Sequence, residues 1–340
     1  MLPSVISRLY LWKCRAWQSL RMVHERPSLR LVPEPVPQSA TPPAPRLLGA
    51  VELLPGRIRA AVLTVAGRVL ERAEASYDAS VPDPAEIDAA LARTARVFTA
   101  RPPVGVGIAA AGLVDPDGGV ITEVNDVPAL HGYPVGERLR ALTGAPVRVE
   151  HRARLQVLGD RWFGAGRGRR TFASVSTGAV LGVGILYEGE VLAPHGGRSG
   201  AHMTVSASGA RCTCGARGCW KTLATTRWLH ERARTAGLGP DRSLGALAGR
   251  DDEPARRVVE EYADNLALGL VNVQQLFAPG LFVLHGEARE GGERFRALIE
   301  RRLRSGAAGV GAEEPRVLVS GAAVDDVALL GGAGLVLSHL

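Results

Sequence analysis

Residues 47–77 read LLGAVELLPGRIRAAVLTVAGRVLERAEASY, and this stretch decides the fold. Three runs rich in aliphatic residues are separated by two turn signals, Pro55-Gly56 and Ala66-Gly67. Runs of this length between glycine turns are typical of a three-stranded antiparallel meander. A second hairpin set is predicted at residues 172–192, FASVSTGAVLGVGILYEGEVL.

Each meander is followed by alternating strand and helix patterns. Helices are predicted over 83–100, where Asp83 can cap and Pro84 suits the first turn, and then over 134–143, 154–166, 222–236, 254–276, 291–305 and 325–338. Buried strands are predicted at 104–114, 147–151, 281–286 and 315–321. Two such halves predict two α/β domains, 47–150 and 151–340, packed over a cleft that holds a ligand at the carboxyl ends of the strands.

Positive charge is concentrated at the start of the chain. Residues 1–46 hold seven Arg or Lys against two Glu, which is +5 of the formal net charge of +7. The rest is close to neutral, so its charge does not indicate a nucleic-acid surface. Residues 33–46 are proline-rich, and we expect residues 1–46 to be a disordered basic leader and linker, with a weaker likeness to a transit peptide. The sequence has no run of eighteen apolar residues, so we expect no membrane span and a cytoplasmic protein.

Three of the four cysteines lie within eight residues and follow a histidine, as His202-x9-Cys212-x-Cys214-x4-Cys219. Thiolates and an imidazole are the ligands of closed tetrahedral Zn²⁺ sites. Gly215 and Gly218 allow the tight backbone turns that such a knuckle, residues 202–219, requires. Four protein ligands leave no open position, so the predicted metal is structural. The alternative is a set of buried, inert cysteines beside an unrelated histidine.

The segment AHMTV followed by CTCGARGC resembles the ROK family of repressors and sugar kinases. RWFGAGRG, VGVGIAAAGLVDPDGG and LVNVQQLFAPGLFVLHGE are similar to further family segments, and the likeness runs from about Leu47 to Leu340. The resemblance implies an α/β fold of the actin-like sugar-kinase (ribonuclease H-like) type, two domains with an interdomain cleft for ATP and a hexose, and homodimers or homotetramers.

The resemblance also locates the catalytic base. Family kinases carry it as the aspartate of an E-N-D motif, and the matching residues here are Glu150-His151-Arg152. A guanidinium cannot accept a proton, so no catalytic residue is predicted and Arg152 stands at the base position. The next carboxylate along the chain is Asp160, which falls within the following helix.

The phosphate loops that the family resemblance implies are only partly kept. The first, D-x-G-G-T in family kinases, reads Glu52-Leu53-Leu54-Pro55-Gly56, so a leucine stands where backbone would approach phosphate. The second survives as Thr177-Gly178. Gly56, Thr177 and Gly178 are therefore interpreted as phosphate-loop remnants, and this argues against bound ATP and Mg²⁺.

The sugar contacts implied by the resemblance are mixed. Asn125, Glu150 and His202 match family positions near the sugar, whereas Ser199 and Lys221 replace two family glutamates. Carboxylates suit sugars because they accept two hydrogen bonds from vicinal hydroxyls. Two hypotheses stay open: an anionic sugar derivative bound through Arg152 and Lys221, or a site that has lost its ligand.

Many family repressors have an amino-terminal helix-turn-helix, but residues 1–46 contain no such pattern. Arg26–Pro33, RPSLRLVP, resembles the segment that follows this domain in family repressors. The sequence therefore predicts a sugar-sensing regulator body without kinase activity, for which DNA binding is not supported. The alternatives are an ATP-dependent glucose or amino-sugar kinase with another base, and a non-catalytic structural pseudoenzyme.

Overall fold

The computed structural model describes residues 46–124, 127–193, 200–311, 313–323 and 326–340. Most of the predicted leader and linker, residues 1–45, lies outside the described residues. Asn125, which was predicted to contact the sugar, lies outside them as well. No helix in the described ranges is long and apolar enough to cross a membrane.

The predicted meander 47–77 forms three strands of the first five-stranded sheet. Its strands are β1 (Leu47–Leu54), β2 (Arg57–Thr64) and β3 (Val69–Ser76), joined by antiparallel ladders. Strand β4 (Val106–Ala110) then pairs in parallel with β1, and β7 (Val147–His151) pairs in parallel with β4, which gives the order β3-β2-β1-β4-β7. A small hairpin of β5 (Leu113–Asp115) and β6 (Val120–Glu123) follows β4.

The second sheet repeats this topology. It consists of β8 (Phe172–Thr177), β9 (Gly182–Tyr187), β10 (Glu190–Val191), β11 (Leu281–Gly286) and β12 (Arg316–Val319), in the order β10-β9-β8-β11-β12. The first three strands pair antiparallel, β11 pairs in parallel with β8, and β12 pairs in parallel with β11. The repeated α/β architecture that the alternating pattern predicted is confirmed.

Helices cover the sheets, and their bounds are α1 (Pro84–Ala95), α2 (Val97–Ala100), α3 (Val135–Thr143), α4 (Arg152–Phe163), α5 (Thr226–Thr235), α6 (Leu244–Ala248), α7 (Glu253–Phe277), α8 (Gly292–Gly306) and α9 (Val327–Leu337). Asp83 caps α1 as predicted, because its Oδ1 accepts from the Ala85 amide at 2.9 Å. The predicted helix 83–100 is divided at Arg96, and the helix predicted from 222 begins at Thr226.

The C-terminal helix α9 returns to the first sheet and also crosses α4. Glycines make this approach close: a Cβ on Gly107 of β4 would lie 2.1 Å from the Gly332 carbonyl oxygen, and one on Gly331 would lie 2.6 Å from that of Leu155. Helix α4 in turn packs on β9, where a Cβ on Gly184 would meet the Ala153 carbonyl at 2.4 Å. The pair α4 and α9 thus links the two sheets and positions the amino end of α4.

Candidate functional site

A cavity of about 460 Å³ lies where strands of both sheets end. Leu54, Ala111 and His151 line it at or just past the carboxyl ends of β1, β4 and β7, and Ser176 lines it near the end of β8. One wall is completed by His202 of the predicted knuckle and by Lys221, two residues after the knuckle ends. The fold therefore brings together three predicted ligand contacts, Arg152, His202 and Lys221, around one cavity.

Arg152 is the first residue of α4, and its side chain is held by an ion pair. Its Nε donates to Oε1 of Glu52 at 2.5 Å. The other carboxylate oxygen of Glu52 accepts from Arg59, whose Nε lies 2.8 Å away and whose Nη2 also contacts it. Glu52 is fully buried, whereas 21% of the Arg152 side chain is exposed. The position where the family resemblance expects a proton acceptor thus holds a cation already paired to a carboxylate.

The neighbouring histidine is a helix cap. Nδ1 of His151 accepts from the Ala153 amide at 3.2 Å and so satisfies one amide at the start of α4. Burial, with the nearby charges of Arg154 and Arg152, lowers the pKa of His151 to about 4. At neutral pH the ring is uncharged, which is the state that an accepting cap requires.

Lys221 lies in a 3-10 turn, Trp220–Thr222, directly after the last cysteine of the knuckle. The turn is anchored by the fully buried Trp220, whose Nε1 donates to the Asn265 carbonyl at 2.8 Å. The Lys221 Nζ has a long contact of 3.4 Å to Oγ1 of Thr213. The knuckle therefore places an ammonium group at the edge of the cavity.

The four predicted metal ligands converge. The ligand atoms of His202, Cys212, Cys214 and Cys219 all lie within 4.8 Å of one another. The His202 Nδ1 is 3.6 Å from the Cys212 Sγ, and the Cys214 and Cys219 sulfurs are 3.7 Å apart. Three sulfurs and one imidazole nitrogen at these separations form a group that can hold a metal ion and is compatible with structural zinc.

Two glycines of the knuckle have the backbone conformation that was predicted to favour tight turns. Gly215 has φ +88° and Gly218 has φ +67°. A side chain on Gly218 would also collide with the Ser206 carbonyl, since its Cβ would lie 1.6 Å from that oxygen. At Gly218, conformation and space both exclude any other residue.

The loop remnants are engaged in internal contacts. The Thr177 hydroxyl donates to the His285 carbonyl at 2.7 Å and accepts from the Ala288 amide at 2.8 Å. Gly56 forms the β1–β2 turn with φ +76°, and Leu54 lines the cavity. Thr177 is thus engaged in contacts within the fold, and Leu54 presents an apolar side chain to the cavity.

A carboxylate also lies against the second loop. A Cβ built on Gly178 would be 3.6 Å from Cβ and 3.7 Å from Oε2 of Glu287. Burial raises the pKa of Glu287, although a hydrogen bond from the Leu244 amide opposes the shift. Glu287 therefore occupies the space beside Gly178, in surroundings that favour its uncharged form.

Glu150, a predicted sugar contact, is not among the residues that line this cavity. Its Oε1 accepts from Nη1 of the buried Arg154 at 3.2 Å, and the residue borders a separate cavity.

Two charged residues of the site, Arg59 and Glu123, were not predicted from the sequence. Glu123 lines the main cavity at the end of β6. The Glu52–Arg59 pair carried a usable signal, because a two-residue turn at Pro55-Gly56 places these residues opposite each other.

Known proteins with this architecture include members of the ROK family. The model of the ROK family matches residues 49–339. A ROK family glucokinase from Streptomyces griseus, solved in complex with glucose and AMPPNP, is 26% identical and superposes with a TM-score of 0.68 over 85% of this chain and 98% of its own. The actin-like sugar-kinase fold expected from the resemblance is confirmed.

Relatives of two kinds are similar in sequence. Glucokinase of Thermotoga maritima is 29% identical over 55% of this chain and 65% of its own length. The xylose repressor of Bacillus subtilis is 25% identical over 55% of this chain and 49% of its own length. The chain thus spans about half to two thirds of these relatives, and the similarity reaches both enzymes and regulators.

Proposed function

Because this chain belongs to the ROK family, we propose that it is a sugar-sensing regulator body that does not transfer phosphate. The ligand of this proposal is a sugar or sugar derivative in the cavity between the sheets. A structural Zn²⁺ bound by the knuckle holds the wall that carries His202 and Lys221.

One observation carries the proposal. Phosphoryl transfer to a sugar hydroxyl needs a group that accepts the hydroxyl proton. Arg152 occupies the start of α4 and donates to Glu52, so the first turn of α4 presents a cation to the cavity. The buried Glu52 carboxylate is in turn saturated by two guanidinium groups and is not available as a base.

Two further features support it. The first phosphate loop presents Leu54 to the cavity, and Glu287 lies against Gly178 of the second loop. The xylose repressor among the relatives supports a regulatory role for this type of body. Assembly into homodimers or homotetramers, and any contact with DNA, remain predictions from the family resemblance.

A kinase is the second candidate, and one residue favours it. Glu123 is the carboxylate among the described residues that line the cavity, so it could accept a hydroxyl proton in place of the missing aspartate. The glucokinase relatives agree with this alternative.

The test is an assay of ADP release by the purified full chain with Mg·ATP and a panel of hexoses, pentoses and amino sugars. We expect no release above the ATP-only background from the native protein. Turnover that is lost in Glu123→Gln would establish the kinase and overturn the proposal. Arg152→Asp is the companion variant: activity gained there identifies a kinase scaffold that lacks its base.

Sensing is tested separately by thermal unfolding with the same sugars. A ligand that binds only the folded state raises the melting temperature. If no member of the panel raises it, the sensing function is wrong and a purely structural role takes its place.

A further inference from the structure

The charged groups that line the cavity are predominantly basic. Among the described lining residues, Arg152 and Lys221 carry positive charge and Glu123 carries negative charge. His151 is neutral at physiological pH, and His202 belongs to the metal cluster. Two cationic side chains and one carboxylate thus line the cavity among the described residues.

The orientation of Arg152 leaves part of its guanidinium available to a ligand. Only Nε is used by Glu52, at 2.5 Å, and no described residue accepts a hydrogen bond from its two terminal nitrogens. Glu52 is itself immobilised by Arg59 across the β1–β2 ladder. The buried pair thus fixes the plane of a guanidinium at the cavity wall, and a fixed planar fork is suited to a carboxylate or phosphate group.

Lys221, unlike Arg152, has no carboxylate partner among the described residues. Its described contact is the 3.4 Å approach to the Thr213 hydroxyl, and no described carboxylate pairs with it. The backbone around it is rigid, because the Trp220 amide donates to the Met203 carbonyl at 2.8 Å and Cys219 bridges to Thr204. An ammonium held beside a cavity without an acidic partner contributes most to binding when the ligand supplies the anion.

Resting on the proposed sensing function, we propose that the cavity binds a polyol that bears an oxyanion, a sugar acid or a sugar phosphate, and that the terminal nitrogens of Arg152 and the ammonium of Lys221 contact its acidic group. A neutral sugar would leave Lys221 without an anionic partner, and the terminal nitrogens of Arg152 without an acceptor, as water is displaced from them. Such unpaired charge in a partly buried site opposes binding. Glu123 brings a carboxylate to the same cavity, and carboxylate oxygens accept hydrogen bonds from hydroxyls.

The experiment is isothermal titration of the zinc-loaded full chain with glucose, glucuronate, glucose 6-phosphate and inorganic phosphate at low and physiological salt. A charge-assisted contact predicts that glucuronate or glucose 6-phosphate binds at least about 10-fold more tightly than glucose. The two anionic arms identify whether a carboxylate or a phosphate is preferred.

Variants assign the effect to residues. Lys221→Met should weaken the preferred anion by about 10-fold and leave glucose unchanged, and Arg152→Gln should do the same. The matched control is Arg301→Gln, an exposed arginine of α8 outside the cavity, which should change neither. Lys221→Met keeps the test independent of folding, because the one contact of that ammonium within the described part of the chain is long, at 3.4 Å.

The outcomes separate the two proposals. Glucose binding as tight as that of both anionic sugars, or an equal loss for glucose and the anion in Lys221→Met, overturns the anionic ligand and leaves the sensing function intact. Inorganic phosphate binding as tightly as the sugar phosphate also overturns it, since the polyol is then not recognised. Failure of every compound to bind overturns both.

Discussion

Replacing Glu52 by glutamine should destabilise the protein by about 3–5 kcal/mol, because it removes the shared anion between two guanidinium groups. Glu52 is fully buried and the Arg59 side chain is 9% exposed, so Arg59 would keep its charge in a site that water scarcely reaches. Arg152, 21% exposed, can be solvated in part and contributes less.

The magnitude follows from the geometry. The contacts of 2.8 Å to Arg59 and 2.5 Å to Arg152 place the charge centres roughly 4 Å apart. Two unit charges at that separation attract by about 4 kcal/mol at an effective dielectric constant of about 20. The glutamine amide oxygen still accepts one hydrogen bond, so the expected loss lies near the lower end of the range.

Urea unfolding of the full chain, followed by circular dichroism at pH 7, measures this loss. The matched control is Glu74→Gln on β3. The Glu74 side chain is 52% exposed and makes a long ion pair of 3.9 Å with Arg57, so its replacement should lower the free energy of unfolding by less than about 0.5 kcal/mol. The double variant Glu52→Leu/Arg59→Leu should recover much of the loss, because it removes both buried charges. A Glu52→Gln variant within about 1 kcal/mol of the native protein would refute the buried ion-pair argument.

Three other outcomes are expected. Elemental analysis should find one zinc per chain in the native protein and none in Cys212→Ser, and the variant should melt at a lower temperature. A full complement of zinc in Cys212→Ser would contradict the four-ligand site. Gly269→Ala should lower the free energy of unfolding by about 2 kcal/mol or more, because its Cβ would lie 2.3 Å from the Trp220 ring. The control Gly239→Ala has open space around it and should be nearly neutral in the same urea titration. Because the folded pKa of His151 is lowered to about 4 from 6.5, the unfolded chain takes up its proton first as pH falls, and stability should decrease by at most about 3 kcal/mol between pH 6.5 and 4. His151→Asn, which keeps a capping oxygen, should flatten that part of the stability profile, and an unchanged slope would show that this histidine is not the cause.

The family fold and the metal cluster were predictable from sequence because both rest on local signals. The meander at 47–77 shows its turns directly, and both turn glycines, Gly56 and Gly67, have the positive φ that such turns use. The spacing of His202 and the three cysteines likewise encodes a short-range knuckle. The small β5–β6 hairpin was missed because only a few residues form each strand.

From sequence, the family resemblance predicts Arg152 at the position of the base and Lys221 at that of a carboxylate, because residue type is read directly at each matched position. Only the tertiary structure decided what these replacements do. It paired Arg152 with Glu52, one hundred residues earlier, and turned Glu150 towards Arg154 rather than into the cavity. The physical reason is that residue identity is local, whereas the charge that a ligand meets depends on partners brought together by the packing of separate elements.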